Sequence, residues 1–150
     1  MELTNSQEEY LKIIYILKNT EKEIRVTDIA EKLDKTKASV NNAINTLKSI
    51  GLVNYEPYGH IELTKLGEKE AIKIIEAYDI VKLFLTDIIG ASKENADSEA
   101  KEIKTILSDD TLNKIAVYTH KELGLTDLNC GYDINNERCI ECPRRKTSKD

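Results

Sequence analysis

The order of elements between residues 26 and 64 restricts this chain more than any other feature. Residues 28–33 carry Ile29, Ala30 and Leu33 on one helical face, with Thr27 as the expected N-cap. Asp34-Lys35-Thr36 is a tight polar turn. A second helix over 37–50 turns Val40, Ala43, Ile44, Leu47 and Ile50 inward, and Gly51 stops it. Residues 52–56 and 60–63 then read as two strands joined through Pro57-Tyr58-Gly59. Short helix, turn, helix and hairpin is the order of a winged helix-turn-helix.

The outward face of the second helix carries Thr36, Lys37, Ser39, Asn41, Asn42 and Asn45, with Lys35 in the turn before it and Tyr58 at the hairpin tip. Short polar side chains let a helix approach base edges and phosphates, and Asn can contact adenine with both ends of its amide. The plain alternative is a solvated face. Three Asn on one helix argue against it, because Asn is a poor former of helix interiors. Charge neither helps nor forbids the reading. The chain carries a net −5, yet residues 24–65 carry +1 while residues 66–110 carry −5. The acidity therefore lies outside the segment that would meet DNA.

The remaining pattern is helical. Residues 6–19 form an apolar stripe behind N-cap candidates Thr4, Asn5 and Ser6. A long helix over 64–89 is apolar on more than one face, which suggests a partner subunit. Gly90 ends it, and two shorter helices over about 93–107 and 109–123 follow. The expected fold is mainly α: a winged helix-turn-helix domain over 1–66, a helical dimerisation domain over 67–125, and a small cysteine-containing segment over 126–150. No apolar run approaches the ~18 residues that span a bilayer, and the first residues lack the features of a signal peptide. A cytoplasmic protein without membrane attachment is expected. No Ser-His-Asp set, Gly-rich phosphate loop or paired catalytic carboxylates stand out, so an enzyme is not expected.

Particular runs carry a resemblance. Gln7-Glu8-Glu9-Tyr10-Leu11-Lys12-Ile13-Ile14-Tyr15, Val26-Thr27-Asp28-Ile29-Ala30, Ser39-Val40, Gly51-Leu52-Val53 and Leu63-Thr64-Lys65-Leu66-Gly67 together resemble the diphtheria-toxin-repressor family of iron- and manganese-dependent transcriptional regulators. The likeness covers about residues 3–125. It implies a homodimer that reads a palindromic operator in double-stranded DNA, with Thr36, Ser39 and Asn42 facing the DNA and Lys37 beside them. It also implies a divalent-metal sensor on the first helix and the dimerisation helices. The matching positions are Glu9, Lys12, Tyr78, Lys101, Lys104 and Thr105. Only Glu9 keeps a donor of that kind, so it reads as the vestige of a metal site. A shifted register would offer Glu99 and Glu102, still with no His on either dimerisation helix. In the unshifted register, the ammonium groups of Lys101 and Lys104 would replace the lost cation near Glu9.

All three cysteines lie in the last segment, as Cys130-x8-Cys139-x2-Cys142-Pro143. An odd, clustered count does not read as a disulfide framework. Two Cys separated by two residues can face one metal or cluster, and Pro directly after Cys recurs in ferredoxin-like cluster motifs. Arg138, Arg144, Arg145 and Lys146 would offset the negative charge of thiolates. The favoured reading is a [4Fe–4S] iron–sulfur cluster on Cys130, Cys139 and Cys142 that senses iron or redox state. His120 and Asp133 are candidates for a fourth ligand, along with a water, a small molecule or a partner's Cys. The alternatives are a structural zinc site with no sensing, a free dithiol, or a winged helix that docks a protein instead of DNA.

Overall fold

The computed structural model describes residues 2–20, 23–124 and Ile134. Helix α1 (Asn5–Lys18) opens with a capping box. The Thr4 hydroxyl accepts from the Gln7 N–H at 3.2 Å, and Gln7 Oε1 accepts from the Thr4 N–H at 2.9 Å. Tyr10, Leu11, Ile14 and Leu17 recur at helical spacing and are buried.

Helix α2 (Val26–Leu33) begins two residues before the expected start. The Asp28 carboxylate reaches back to accept from the Arg25 N–H at 2.8 Å, so Arg25 holds the N-cap position and Thr27 lies in the first turn. Asp34 takes the left-handed conformation (φ 51°), and the Lys35 N–H closes on the Ala30 carbonyl at 3.0 Å. That sharp closure leaves room for only a short turn before α3 (Lys37–Ser49). Val40, Ile44 and Leu47 of α3 are fully buried. Strands β1 (Val53–Tyr55) and β2 (Ile61–Leu63) pair antiparallel, Val53 opposite Leu63 and Tyr55 opposite Ile61. Ile24 adds a single bridge on the other side of Ile61.

Helix α4 (Lys65–Leu83) is strapped to the loop between α3 and β1. The Thr64 N–H donates to the Leu52 carbonyl at 3.1 Å, and the Thr64 hydroxyl donates to the Gly51 carbonyl at 2.7 Å. The same hydroxyl accepts from the Gly67 N–H at 3.0 Å. A Cβ on Gly67 would lie 1.9 Å from the Leu52 carbonyl oxygen. The helix can approach this backbone only because residue 67 has no side chain.

Past Leu83 the helix widens into a π-helical segment, Phe84–Ile89, where a uniform α-helix was expected. The Thr86 hydroxyl bonds the Lys82 carbonyl at 3.0 Å, so a side chain competes with the backbone ladder at that point. Gly90 closes the segment in the left-handed conformation (φ 83°), its N–H reaching back to the Leu85 carbonyl. Helices α5 (Lys93–Ile106) and α6 (Asp109–Glu122) follow, capped by Ser92 and Ser108.

The chain forms two compact units that divide inside α4, between Ile74 and Ile75. The expected boundary at 66/67 lies at the start of that helix. The first unit has a core of α1, α2, α3 and the hairpin. The second packs Tyr78, Ile80 and Val81 of α4 with Ala100 of α5, Leu112 and Ala116 of α6, and Ile134. Ala100 and Ala116 are fully buried, and their small side chains let the helices approach closely. Among the described residues no helix is long and apolar enough to cross a membrane.

Gly67→Ala should destabilise the protein by about 1–3 kcal/mol or more, because a methyl group must displace backbone. The urea midpoint of the variant checks this; an unchanged midpoint would refute the close approach.

Candidate functional site

The exposed face of α3 is built from its N-terminus upward. Thr36 caps the helix, accepting from the Ser39 N–H at 3.1 Å. Its hydroxyl in turn donates to Ser39 Oγ at 2.9 Å, so these two candidates are tied to each other. Lys35, Lys37, Ser39, Asn42 and Asn45 are exposed together along the helix. The free amide groups of the first turn and the two lysines make this end electropositive.

Asn41 differs from its neighbours. It is half-buried, and its Oδ1 accepts from the buried Tyr55 hydroxyl at 2.9 Å. The residue therefore joins α3 to the hairpin. Lys48 makes a second tie, donating from Nζ to the Tyr55 carbonyl at 2.7 Å. Arg25 makes a third, from its guanidinium to the Tyr58 carbonyl at 3.3 Å, while also pairing with Glu23 at 3.2 Å. Arg25 and Lys48 thus both hold the hairpin. Their use as braces for the hairpin left no mark in residue spacing.

Tyr58 sits at the hairpin tip with 97% of its surface exposed. Its φ of 63° lies in the left-handed region, behind Pro57 and ahead of Gly59, whose N–H closes the turn on the Glu56 carbonyl at 2.8 Å. This is the pattern of a turn with Pro at its second position and a residue of positive φ at its third. Gly or Asn is the ordinary choice there, so a Tyr is held at a cost of about 1–2 kcal/mol. A fully exposed aromatic ring kept in a strained position marks a candidate contact.

The second unit holds a different cluster. The Tyr78 hydroxyl on α4 donates to Asp97 Oδ1 on α5. Lys82 Nζ lies 3.4 Å from the same oxygen and 5.6 Å from the centre of the Tyr78 ring. Lys101 Nζ lies 3.8 Å from Asp97 Oδ2. Burial, with the Asp97 hydrogen bond, pushes the Tyr78 phenol above its usual 10.0. The Tyr78 hydrogen bond foremost holds the Asp97 carboxyl below 3.8 and raises Lys82 above 10.5. Among the described residues no group of three or more His, Cys, Asp or Glu is placed to hold a metal. Glu9 is exposed on α1. His120 is fully buried near the end of α6. Cys130, Asp133, Cys139 and Cys142 lie outside the described residues.

Comparison with known proteins gives two adjoining family matches. Residues 2–61 match the iron dependent repressor N-terminal DNA binding domain, and residues 64–121 match the iron dependent repressor metal binding and dimerisation domain. A helix-turn-helix-type transcriptional regulator of Methanocaldococcus jannaschii is 34% identical over 120 residues, 79% of this chain and 96% of that protein. The helix-turn-helix-type transcriptional regulator MntR of Lysinibacillus sphaericus is 31% identical over 113 residues, 75% of this chain and 81% of that protein. The solved structure of the manganese regulator SloR superposes with a TM-score of 0.65 at 25% identity, over 79% of this chain. This chain spans about half of that structure's length, 53%.

The Asp97 cluster sets a pH window. A lowered carboxyl pKa contributes stability above the usual value of 3.8, and that contribution is lost as pH falls through the folded value. The raised pKa values of Tyr78 and Lys82 contribute below 10.0 and 10.5, and those contributions are lost as pH rises through the folded values. The difference in melting temperature between the wild type and Asp97→Asn should hold steady from about pH 5 to 9 and shrink below about pH 4. A gap that widens in acid would contradict the assignment.

Proposed function

The chain belongs to the iron-dependent repressor family, and from that premise we propose how it reads DNA and where it senses its signal. It is a DNA-binding transcriptional regulator of the metal-dependent repressor type and not an enzyme. Its partners are double-stranded DNA and a second copy of itself. Ile106, 81% exposed on α5, and Ile89, 62% exposed after α4, are apolar side chains of the dimerisation region that a partner would cover. The place of action is the cytoplasm, with the genome.

The α3 N-terminus enters the major groove, supported by one observation: Thr36, Lys37, Ser39, Asn42 and Asn45 are exposed along one helix whose opposite face is core. Asn42 and Asn45 read base edges, Lys35 and Lys37 hold phosphates, and Asn41 orients the helix through Tyr55. Tyr58 touches the sugar–phosphate backbone from the wing. Two such heads in a dimer read half-sites about one helical turn, ~34 Å, apart on a palindrome.

Duplexes selected by the wild-type protein from a random pool, with affinity measured at two salt concentrations, test this reading. Lys37→Ala should weaken binding to all sequences and reduce the salt slope by about 1. Asn42→Ala should cost about 1–3 kcal/mol at its own base pair and relax preference there. Tyr58→Gly should raise the melting temperature and lower affinity. Failure of the wild type to bind any duplex in a salt-dependent way would leave a protein-docking winged helix.

The signal enters through the cysteine segment. Cys130, Cys139 and Cys142 hold a [4Fe–4S] cluster, with His120, Asp133 or a partner's Cys as fourth ligand. Support comes from the Cys-x-x-Cys-Pro spacing and from Ile134. This residue, between Cys130 and Cys139 in sequence, is buried in the second unit's core, and its N–H donates to Asn113 Oδ1 at 2.9 Å. Protein purified without oxygen should be brown, with iron and acid-labile sulfide that Cys139→Ser removes. A colourless protein with stoichiometric zinc would replace the cluster with a structural zinc site.

A further inference from the structure

The second unit matches a metal-binding domain, yet its described side chains do not fit a divalent cation. Asp97 is the carboxylate that α5 turns toward α4, and its donors are already in place. Tyr78 and Lys82 share one oxygen, while Lys101 faces the other. A cation approaching Asp97 would meet two ammonium groups. Neither lysine can act as a ligand while protonated, and the raised pKa of Lys82 keeps it so at neutral pH. Tyr78 would have to lose its proton to bind a metal, and its phenol is shifted the other way.

We propose that Tyr78, Lys82, Asp97 and Lys101 form a metal-free clasp between α4 and α5, in which ammonium groups carry the positive charge that a metal ion would otherwise bring to this domain. The clasp has a buried part and a wet part. Tyr78 is buried while the Asp97 side chain is 49% exposed, so the hydrogen bond between them is directional and sheltered on the Tyr78 side only. The lysine side chains are 37% and 60% exposed, so their contribution is screened and smaller. Lys82 gains additionally from the Tyr78 ring beneath it. The clasp is permanent across the neutral range, so it holds the helices together without reporting metal supply. The proposal rests on the family membership and not on the cluster reading. Any response of DNA binding to metal would then pass through other residues, foremost the cysteine segment.

Mn²⁺ separates the two, because it prefers oxygen and nitrogen ligands and leaves thiolates largely alone. The full chain, freed of metal by chelation, is titrated with Mn²⁺ in a calorimeter and melted in excess chelator or in 1 mM Mn²⁺, a roughly thousandfold excess over a micromolar site. The expected result is no saturable Mn²⁺ binding and the same melting temperature in both buffers. Asp97→Asn should lower that temperature by about 2–4 °C in both. Lys101→Met, at an exposed position that should not impair folding, should lower it by less. Saturable Mn²⁺ binding with a rise in melting temperature would overturn the proposal. So would Asp97→Asn and Lys101→Met variants that both melt like the wild type. Neither result bears on whether the cysteine segment carries iron and sulfide, which the absorption spectrum reads independently.

Discussion

The winged helix depends on how closely α4 begins against the loop between α3 and β1. Gly67 lies where any Cβ would strike the Leu52 carbonyl, and Thr64 bonds both sides of the gap with its hydroxyl and its N–H. Three hydrogen bonds and one missing side chain fix where α4 starts. They also fix the end of α3, because Gly51 and Leu52 supply the carbonyls. The hairpin departs from the same two residues, so its direction is set by the same contact. A regulator of this kind needs its recognition helix and wing held at one angle, and here the angle is imposed from behind, far from the exposed face of α3.

The basic residues near that face divide into two groups by what holds them. Lys35 and Lys37 are exposed at the α3 N-terminus. Arg25 and Lys48 bond carbonyls of the hairpin at Tyr58 and Tyr55. A carbonyl carries only a partial charge, so the Lys48 bond leaves its cationic charge in place while removing its freedom to move, whereas Arg25 is also paired with Glu23. The wing is thus stiffened by two basic side chains. Stiffness matters because a ring at φ 63° stays in place only when its surroundings hold it. The Arg25 bond to the Tyr58 carbonyl is the nearest such restraint.

What the sequence disclosed follows physical range. Apolar periodicity and cap residues placed the helices within a residue or two at most ends, because those signals are local. The start of α2 was misplaced because Thr27 and Asp28 both look like caps, and only the bond from Asp28 back to Arg25 decides between them. The π-helical segment was invisible, since Phe84–Ile89 has ordinary helical residues and the widening turns on one hydroxyl, Thr86. The exposed face of α3 was readable as a stripe. The tie from Asn41 to Tyr55 was not, because it joins residues fourteen positions apart across a turn and a strand. The Leu63–Gly67 run was legible only as a likeness, and its reason is three-dimensional: the close approach to Leu52.

The second unit carries this logic to the sensor. The positions that the family likeness assigns to metal donors include Tyr78 and Lys101, a phenol and an ammonium group. Read one at a time, they look like losses. Read with Lys82 and Asp97, they form a set in which one carboxylate meets a phenol and two ammonium groups, with a net charge of +1. A carboxylate cluster without metal repels itself and needs a cation to close. The Tyr–Lys–Asp set brings its own, so folding of α4 against α5 is separated from metal supply. The three cysteines lie beyond α6 in the sequence, on either side of the core-anchored Ile134, and the cluster proposed for them would be tied to the second unit through that residue.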